Sequence, residues 1–185
     1  MVIAEQPKTL EQFLALPEQK PALEFFGGRV TQKVSPKFRH GLVQTQILLL
    51  SNQRIVPTQS GVAAAEIRIT IGGASRVPDV VMFRWNRIPR DQDGELLDDV
   101  TTPPDVIVEV LSPGQTQRVE LNRCHWFVSQ GVQAALLVHP RSRWIDVIRA
   151  GQPVVRLTPG DTLDLSDVIP DLILSVSEIF ALLSI

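Results

Sequence analysis

Two apolar runs in this chain each carry an acidic residue in their interior: Asp79 in VPDVVMF (77–83) and Glu109 in DVIVEVL (105–111). In an extended chain alternate side chains share a face. Val77, Asp79, Val81 and Phe83 are therefore expected together, as are Ile107, Glu109 and Leu111. An ionised carboxylate is almost never fully buried unless it is paired or bound to a metal. Two of them about 4 Å apart repel by roughly 4 kcal/mol at an effective dielectric near 20. A divalent cation relieves that cost, because Mg²⁺ takes hard oxygen ligands from one or two carboxylates and completes its shell with water and phosphate. The alternative is two unrelated strand-end acids, each hydrogen-bonded to a neighbouring loop.

The rest of the chain supplies a sheet and helices for these runs. TLEQFLALPE (9–18) has near-helical apolar spacing after a capping Thr9 and stops at Pro17. ALEFF and RVTQKV around Gly27-Gly28 predict a hairpin. Ser35-Pro36 reads as an N-cap followed by proline at the first helical position, opening a helix over about 37–54. Ala63 to Ile71 alternates as one half-buried strand, with Glu66 facing solvent. A polar, acid-rich loop follows 83, and 105–111 is a strand covered on both faces. A helix over 115–130 ends at Gly131, and AALLVHP (134–140) returns as a buried strand, which predicts a parallel crossover. WIDVIRAG, PVVRL and TLDL read as a meander, and VSEIFALLSI as a terminal helix. The fold class is mixed α/β, one sheet with helices against it.

The 185 residues, 44% hydrophobic, fit one domain over 1–185. A single cysteine, Cys124, excludes an internal disulfide, and with three scattered histidines it excludes a zinc cluster. No apolar run approaches the roughly 18 residues of a membrane span. MVIAEQPKTL has neither a charged leader nor an apolar signal stretch, so a soluble, cytoplasmic protein without membrane partners is expected. Net charge is only −2, yet residues 1–90 hold 12 Lys and Arg against 6 Asp and Glu, and the remainder 6 against 14. That asymmetry marks the first half as a candidate polyanion-facing surface.

Five segments, in order, resemble the Uma2 family (DUF820): LEFFGGRV (23–30), SPKFRHGLVQTQILLL (35–50), RVPDVVMF (76–83), PPDVIVEVLSP (103–113) and GVQAALLVHP (131–140). The resemblance implies a restriction-endonuclease-like PD-(D/E)XK nuclease fold, a mixed sheet flanked by helices. By that likeness Asp79 and Glu109 would bind Mg²⁺ or Mn²⁺, and Glu24 would complete the site. His40 would reach a phosphate or order the water, and Arg76 would contact a phosphate at the edge. The implied reaction is hydrolysis of nucleic-acid phosphodiester bonds, with DNA as the partner.

One departure stands out. Such a site wants a lysine to orient the attacking water, but the position two after Glu109 is Leu111, and no lysine occurs beyond Lys37. In the family that lysine is displaced onto the following helix; the matching residue here is Arg123, four before Phe127 and eight before Gly131. Arginine keeps the charge but does not give up a proton. Either Arg123 stabilises charge while metal-bound water attacks, or the site is weakened. Lys33, Lys37, Arg39 and Arg84 are candidates for phosphate-backbone contact.

A rival reading keeps the fold as a non-catalytic nucleic-acid-binding or protein-interaction module. Acid/base hydrolysis of sugars also fits two carboxylates, but only 5% of residues are aromatic and none is tyrosine. Trp126, Phe127 and Trp144 read as core, Cys124 as inert, and DQDGELLDD (91–99) as a solvated acidic loop without calcium-loop spacing. The apolar segment EIFALLSI is a candidate homodimer interface.

Overall fold

The computed structural model describes residues 7–184. A short helix α1 (Leu10–Leu14), capped reciprocally by Thr9 and Gln12, precedes a hairpin of β1 (Leu23–Phe26) and β2 (Arg29–Gln32). Gly27 and Gly28 both adopt positive φ at its turn, a conformation that only glycine takes without strain. The chain continues through α2 (Phe38–Ile55), β3 (Gly61–Ala65), β4 (Ile69–Ile71), β5 (Ala74–Arg76) and β6 (Val80–Arg84). A loop containing a 3₁₀ turn at Trp85–Arg87 leads to β7 (Val106–Val110), α3 (Gln117–Ser129), β8 (Ala134–His139) and β9 (Trp144–Ile148). Three short strands, β10 (Val155–Leu157), β11 (Thr162–Asp164) and β12 (Ile173–Ser175), are followed by α4 (Val176–Ile179) and a 3₁₀ turn, Ala181–Ser184.

The strands form a six-stranded sheet in the order β10-β9-β8-β7-β6-β3, a four-stranded sheet β2-β1-β5-β4, and a separate β11-β12 pair. Strands β7 and β8 are parallel and joined through α3, as the crossover requires; β6 and β7 are antiparallel. Alternation then sorts side chains between two cores. Val80, Met82, Val106, Val108, Leu136 and Val138 face α2 and the C-terminal segment, while Val81, Phe83, Ile107, Leu137 and Leu111 face α3 and β4. Glu109 has the parity of Ile107 and Leu111, so its carboxylate emerges on the α3 side.

Several expectations change. The run 63–71 is not one strand: Glu66 has φ +53° and breaks it into β3 and β4, which belong to different sheets. Its backbone N–H donates to the Asp79 carbonyl (3.1 Å), and Arg68 swings over to the Leu23 carbonyl and Ser75. Alternating hydrophobicity persists through the break because both halves bury the same parity. Lys37, not Ser35, is the N-cap of α2, so Pro36 lies outside the helix. TLDL leaves the meander to pair with β12. The C-terminal stretch is a four-residue helix and a 3₁₀ turn, and Val176, Ile179 and Phe180 are buried in the core beneath α2. Those side chains are therefore not a free surface for dimer formation.

Arg84, expected to face phosphate, is engaged at the end of β6 remote from Asp79. Asp105, fully buried, accepts from Arg84 N (2.8 Å), Arg87 Nη1 (2.5 Å) and Gln133 Nε2 (3.0 Å), while Arg84 Nη2 donates to Gln133 Oε1 (2.9 Å). This cluster ties β6, β7 and the start of β8 at one end of the sheet. Removing its acceptor leaves the Arg84 backbone N–H and Gln133 Nε2 without theirs and deprives two arginines, each only about one-third exposed, of their counter-charge. Asp105→Ala is expected to lower unfolding free energy by about 2–4 kcal/mol, read by urea denaturation.

Candidate nuclease site

The opposite end of the β6–β7 pair holds the acidic residues. Asp79 lies one residue ahead of β6, and its buried carboxylate bridges two elements: Oδ2 accepts from Val110 N (2.7 Å) and Oδ1 from the ammonium of Lys33 (2.7 Å). Glu109 on β7 accepts from Arg123 Nε (2.5 Å). Glu24 on β1 accepts from Arg123 Nη1 (2.5 Å) and Nη2 (2.6 Å) and also from Val77 N (2.7 Å). Arg123 therefore clamps two carboxylates contributed by the two sheets. His40, in the first turn of α2, shares a hydrogen bond between Nδ1 and Ser112 Oγ (2.9 Å). Its Nε2 is 3.5 Å from Asp79 Oδ1, too far for a good hydrogen bond, and is left without a partner. Gln44 Nε2 holds the Asp79 carbonyl (2.9 Å) from the next turn of the helix.

All of these side chains except Gln44 line one open cavity of about 640 Å³. Arg76 forms part of its wall. Its guanidinium lies 3.8 Å from the Phe26 ring centroid and 4.7 Å from that of Trp126, with Nε unpartnered. Trp126 is thus a half-buried wall of the cavity as well as a neighbour of core Phe127.

Charge decides protonation here. Among the described residues Glu24, Asp79 and Glu109 pair directly with Lys33 and Arg123, and Arg76 acts on Glu24 and Glu109 from the cavity wall. Burial pushes the Glu109 carboxyl up to about 8 despite Arg123, with Asp79 adding to the rise. Asp79 goes the other way: burial alone would raise it, but the nearby His40 ring and the Lys33 ammonium outweigh burial and bring it down to about 2. Burial opposes Glu24 ionisation as well, and its bonds to Arg123 prevail to hold it below the usual range. Burial raises the Cys124 thiol well above its usual value, as fits an inert core residue.

The sequence-predicted set Asp79, Glu109, Glu24, Arg123, His40 and Arg76 is thus brought into one cavity. Lys37 and Arg39 remain exposed on its flank, at the start of α2. Sequence alone makes Lys33 a backbone-phosphate candidate, whereas the structure places its ammonium on Asp79. It sits just past β2, 46 positions before Asp79, and its side chain is 14% exposed. Spacing around Glu109 does not reveal it, because an ammonium supplied from the preceding hairpin has no fixed offset from the acids. A search of all four lysines for one ending a strand beside the early acid Glu24 would have found it.

This geometry agrees with two comparisons. The family model Uma2, described as "Putative restriction endonuclease", matches residues 10–177. The chain belongs to the Uma2 family. Its fold is also that of a solved structure, a "putative nuclease belonging to DUF820" from Anabaena variabilis ATCC 29413: the two share 32% identity at a TM-score of 0.89, over 95% of this chain and 98% of that one. No curated protein matches. The Uma2 chain therefore has a restriction-endonuclease-like fold and is a nuclease at the level of its family. Among the described residues no helix is long and apolar enough to cross a membrane.

The donor set discriminates between metals. Among the described residues no three His, Cys, Asp or Glu side chains converge into a ready-made cage, so zinc does not fit. Mg²⁺ needs less: one or two carboxylates with water and phosphate suffice. Each Asp79 oxygen accepts one hydrogen bond and retains a lone pair, and Glu109 Oε2 accepts none from the described residues. Asp79 and Glu109 thus fit a hard cation.

Without metal, a glutamate that ionises near 4.5 when unfolded and near 8 when folded favours the folded state fully only below about 4.5. That contribution is lost as pH rises toward 8 and is constant beyond. Thermal denaturation in a chelator at pH 5 and pH 8 should show Glu109→Gln removing this slope, worth on the order of a few kcal/mol. Equal slopes in the two proteins would refute a neutral buried Glu109.

Proposed function

We propose that this Uma2 protein is a Mg²⁺- or Mn²⁺-dependent endonuclease that hydrolyses DNA phosphodiester bonds. The observation that carries the reading is the convergence of Asp79, Glu109 and Lys33, from three separate elements, on one buried corner of an open cavity. When bound, the metal supplies Lewis acidity toward the scissile phosphate and lowers the pKa of its water. Asp79 and Glu109 would hold it, with Glu109 as its carboxylate.

Lys33 takes the role first assigned to Arg123. Its ammonium is already fixed at the metal-binding acid, where it orients the attacking water and faces the charge that develops on phosphate. Four of the five N–H groups of Arg123 are engaged by Glu109, Glu24 and the Val77 carbonyl. Arg123 is accordingly a positioning residue that sets the direction of both glutamates. Arg76 Nε–H, and His40 Nε2 when it carries a proton, are donors at the wall without a partner, suited to non-bridging phosphate oxygens.

One observation favours a second reading, a nuclease fold that binds nucleic acid without cutting it. Lys33 and Arg123 already neutralise most of the acidic charge, which leaves the cluster satisfied with no metal at all.

Calorimetric Mg²⁺ and Mn²⁺ titrations, followed by plasmid nicking on the same samples, separate the two. Wild type should bind metal and nick, and Asp79→Asn should do neither. Lys33→Met should retain metal binding and lose about 10²-fold or more in nicking rate. Arg123→Lys should weaken metal binding and nicking together. Metal binding with no cleavage of plasmid or of single-stranded DNA under any condition selects the second reading, and absence of metal binding overturns the first.

A further inference from the structure

Beside the carboxylate cavity runs a second groove of about 710 Å³, and the two share His40, Ser112, Gly114 and Gln115. Its lining contains no acidic residue but includes Lys37, Arg39 and Arg141. None of these three forms an ion pair among the described residues. Between the first two stands Phe38, 81% exposed, the most exposed large hydrophobic side chain of the described chain. At the join of the two cavities is His40, only 6% exposed and with Nε2 unpartnered.

Exposing a phenyl ring costs free energy that folding would avoid by burying it or placing a polar residue there. A ring flanked by unpaired cations matches one ligand chemistry closely. Nucleobases stack on aromatic faces while the phosphates between them are met by lysine and arginine. Paired bases in a duplex show only their edges in the grooves, so a ring standing out from a helix start reaches a base face only where the strand is unpaired. We propose that this groove seats a single DNA strand, with one base stacked on Phe38 and adjacent phosphates on Lys37, Arg39 and Arg141. It leads that strand past His40 to the carboxylates. The inference rests on the nuclease reading of the adjoining site and narrows its substrate to unpaired DNA, as in single strands, flaps or forks.

Phe38 packs on little, so its replacement leaves the core intact; circular dichroism checks this. Fluorescence anisotropy in a chelator, with a fluorescein-labelled single strand of about 15 nucleotides and with its duplex, reads binding without cleavage. Single strand should bind more tightly than duplex. Phe38→Ala should weaken single-strand binding about tenfold and leave its salt dependence unchanged, whereas Phe38→Trp should retain affinity. Combined Lys37→Ala and Arg39→Ala should lower the slope of log affinity against log salt by about 1.4. An RNA strand bound more tightly than the DNA strand, equal or tighter duplex binding, or an unaffected Phe38→Ala overturns the proposal. If Phe38→Ala binds as wild type while metal-dependent nicking persists, the groove assignment fails and the nuclease reading stands. Phe38-dependent strand binding with no cleavage at any metal concentration has the reverse meaning.

Discussion

The carboxylate of Asp79 is the joint on which this molecule turns. One oxygen is held by the amide of Val110 at the end of β7, the other by the ammonium of Lys33 at the end of β2. Its own carbonyl receives Gln44 from α2 and the amide of Glu66 from the end of β3. Four segments distant in sequence thus meet at a single residue, and the contacts from Lys33, Val110 and Glu66 are made at the ends of strands. A buried charge of this kind is tolerated only because every lone pair directed at the protein meets a donor.

Around that joint the chain has solved an electrostatic problem by sharing. Three carboxylates share Lys33 and Arg123 as direct partners, and Glu109 is the one whose carboxyl burial pushes up. Arg123 suits its place because a planar fork can address two acids at fixed angles, which a single ammonium cannot. Lys33, a point charge on a flexible stem, suits the position beside a group expected to change its ligands during a reaction. The two cations are not interchangeable copies of one function.

Much of the architecture was legible from sequence because period-two alternation and the crossover spacing follow directly from burial on both faces of β7 and β8. The two strand acids were legible for the same reason, since charge inside an apolar run demands a partner. What escaped was whatever depended on contacts between remote segments. The break at Glu66 preserves the parity of its neighbours and therefore leaves no mark in the pattern. The place of Lys33 follows from the closing of a hairpin over a cavity, and the burial of Ile179 and Phe180 from a tail folding back beneath α2. The family likeness pointed to Arg123, yet residue type alone could not say that its donors would be spent on Glu24 and Glu109.

The split at Glu66 has a wider meaning for how this centre is assembled. Where the strand is interrupted the chain passes from one sheet to another, and residues of both sheets line the cavity. Glu24 and Lys33 arrive on the smaller sheet, whereas Asp79 and Glu109 belong to the larger. The two layers carry different parts of the charge set. The larger would expose two uncompensated acids, and the smaller one acid and one base with nothing to order. The centre is therefore a seam, and its completeness registers whether the two layers have come together in the correct alignment.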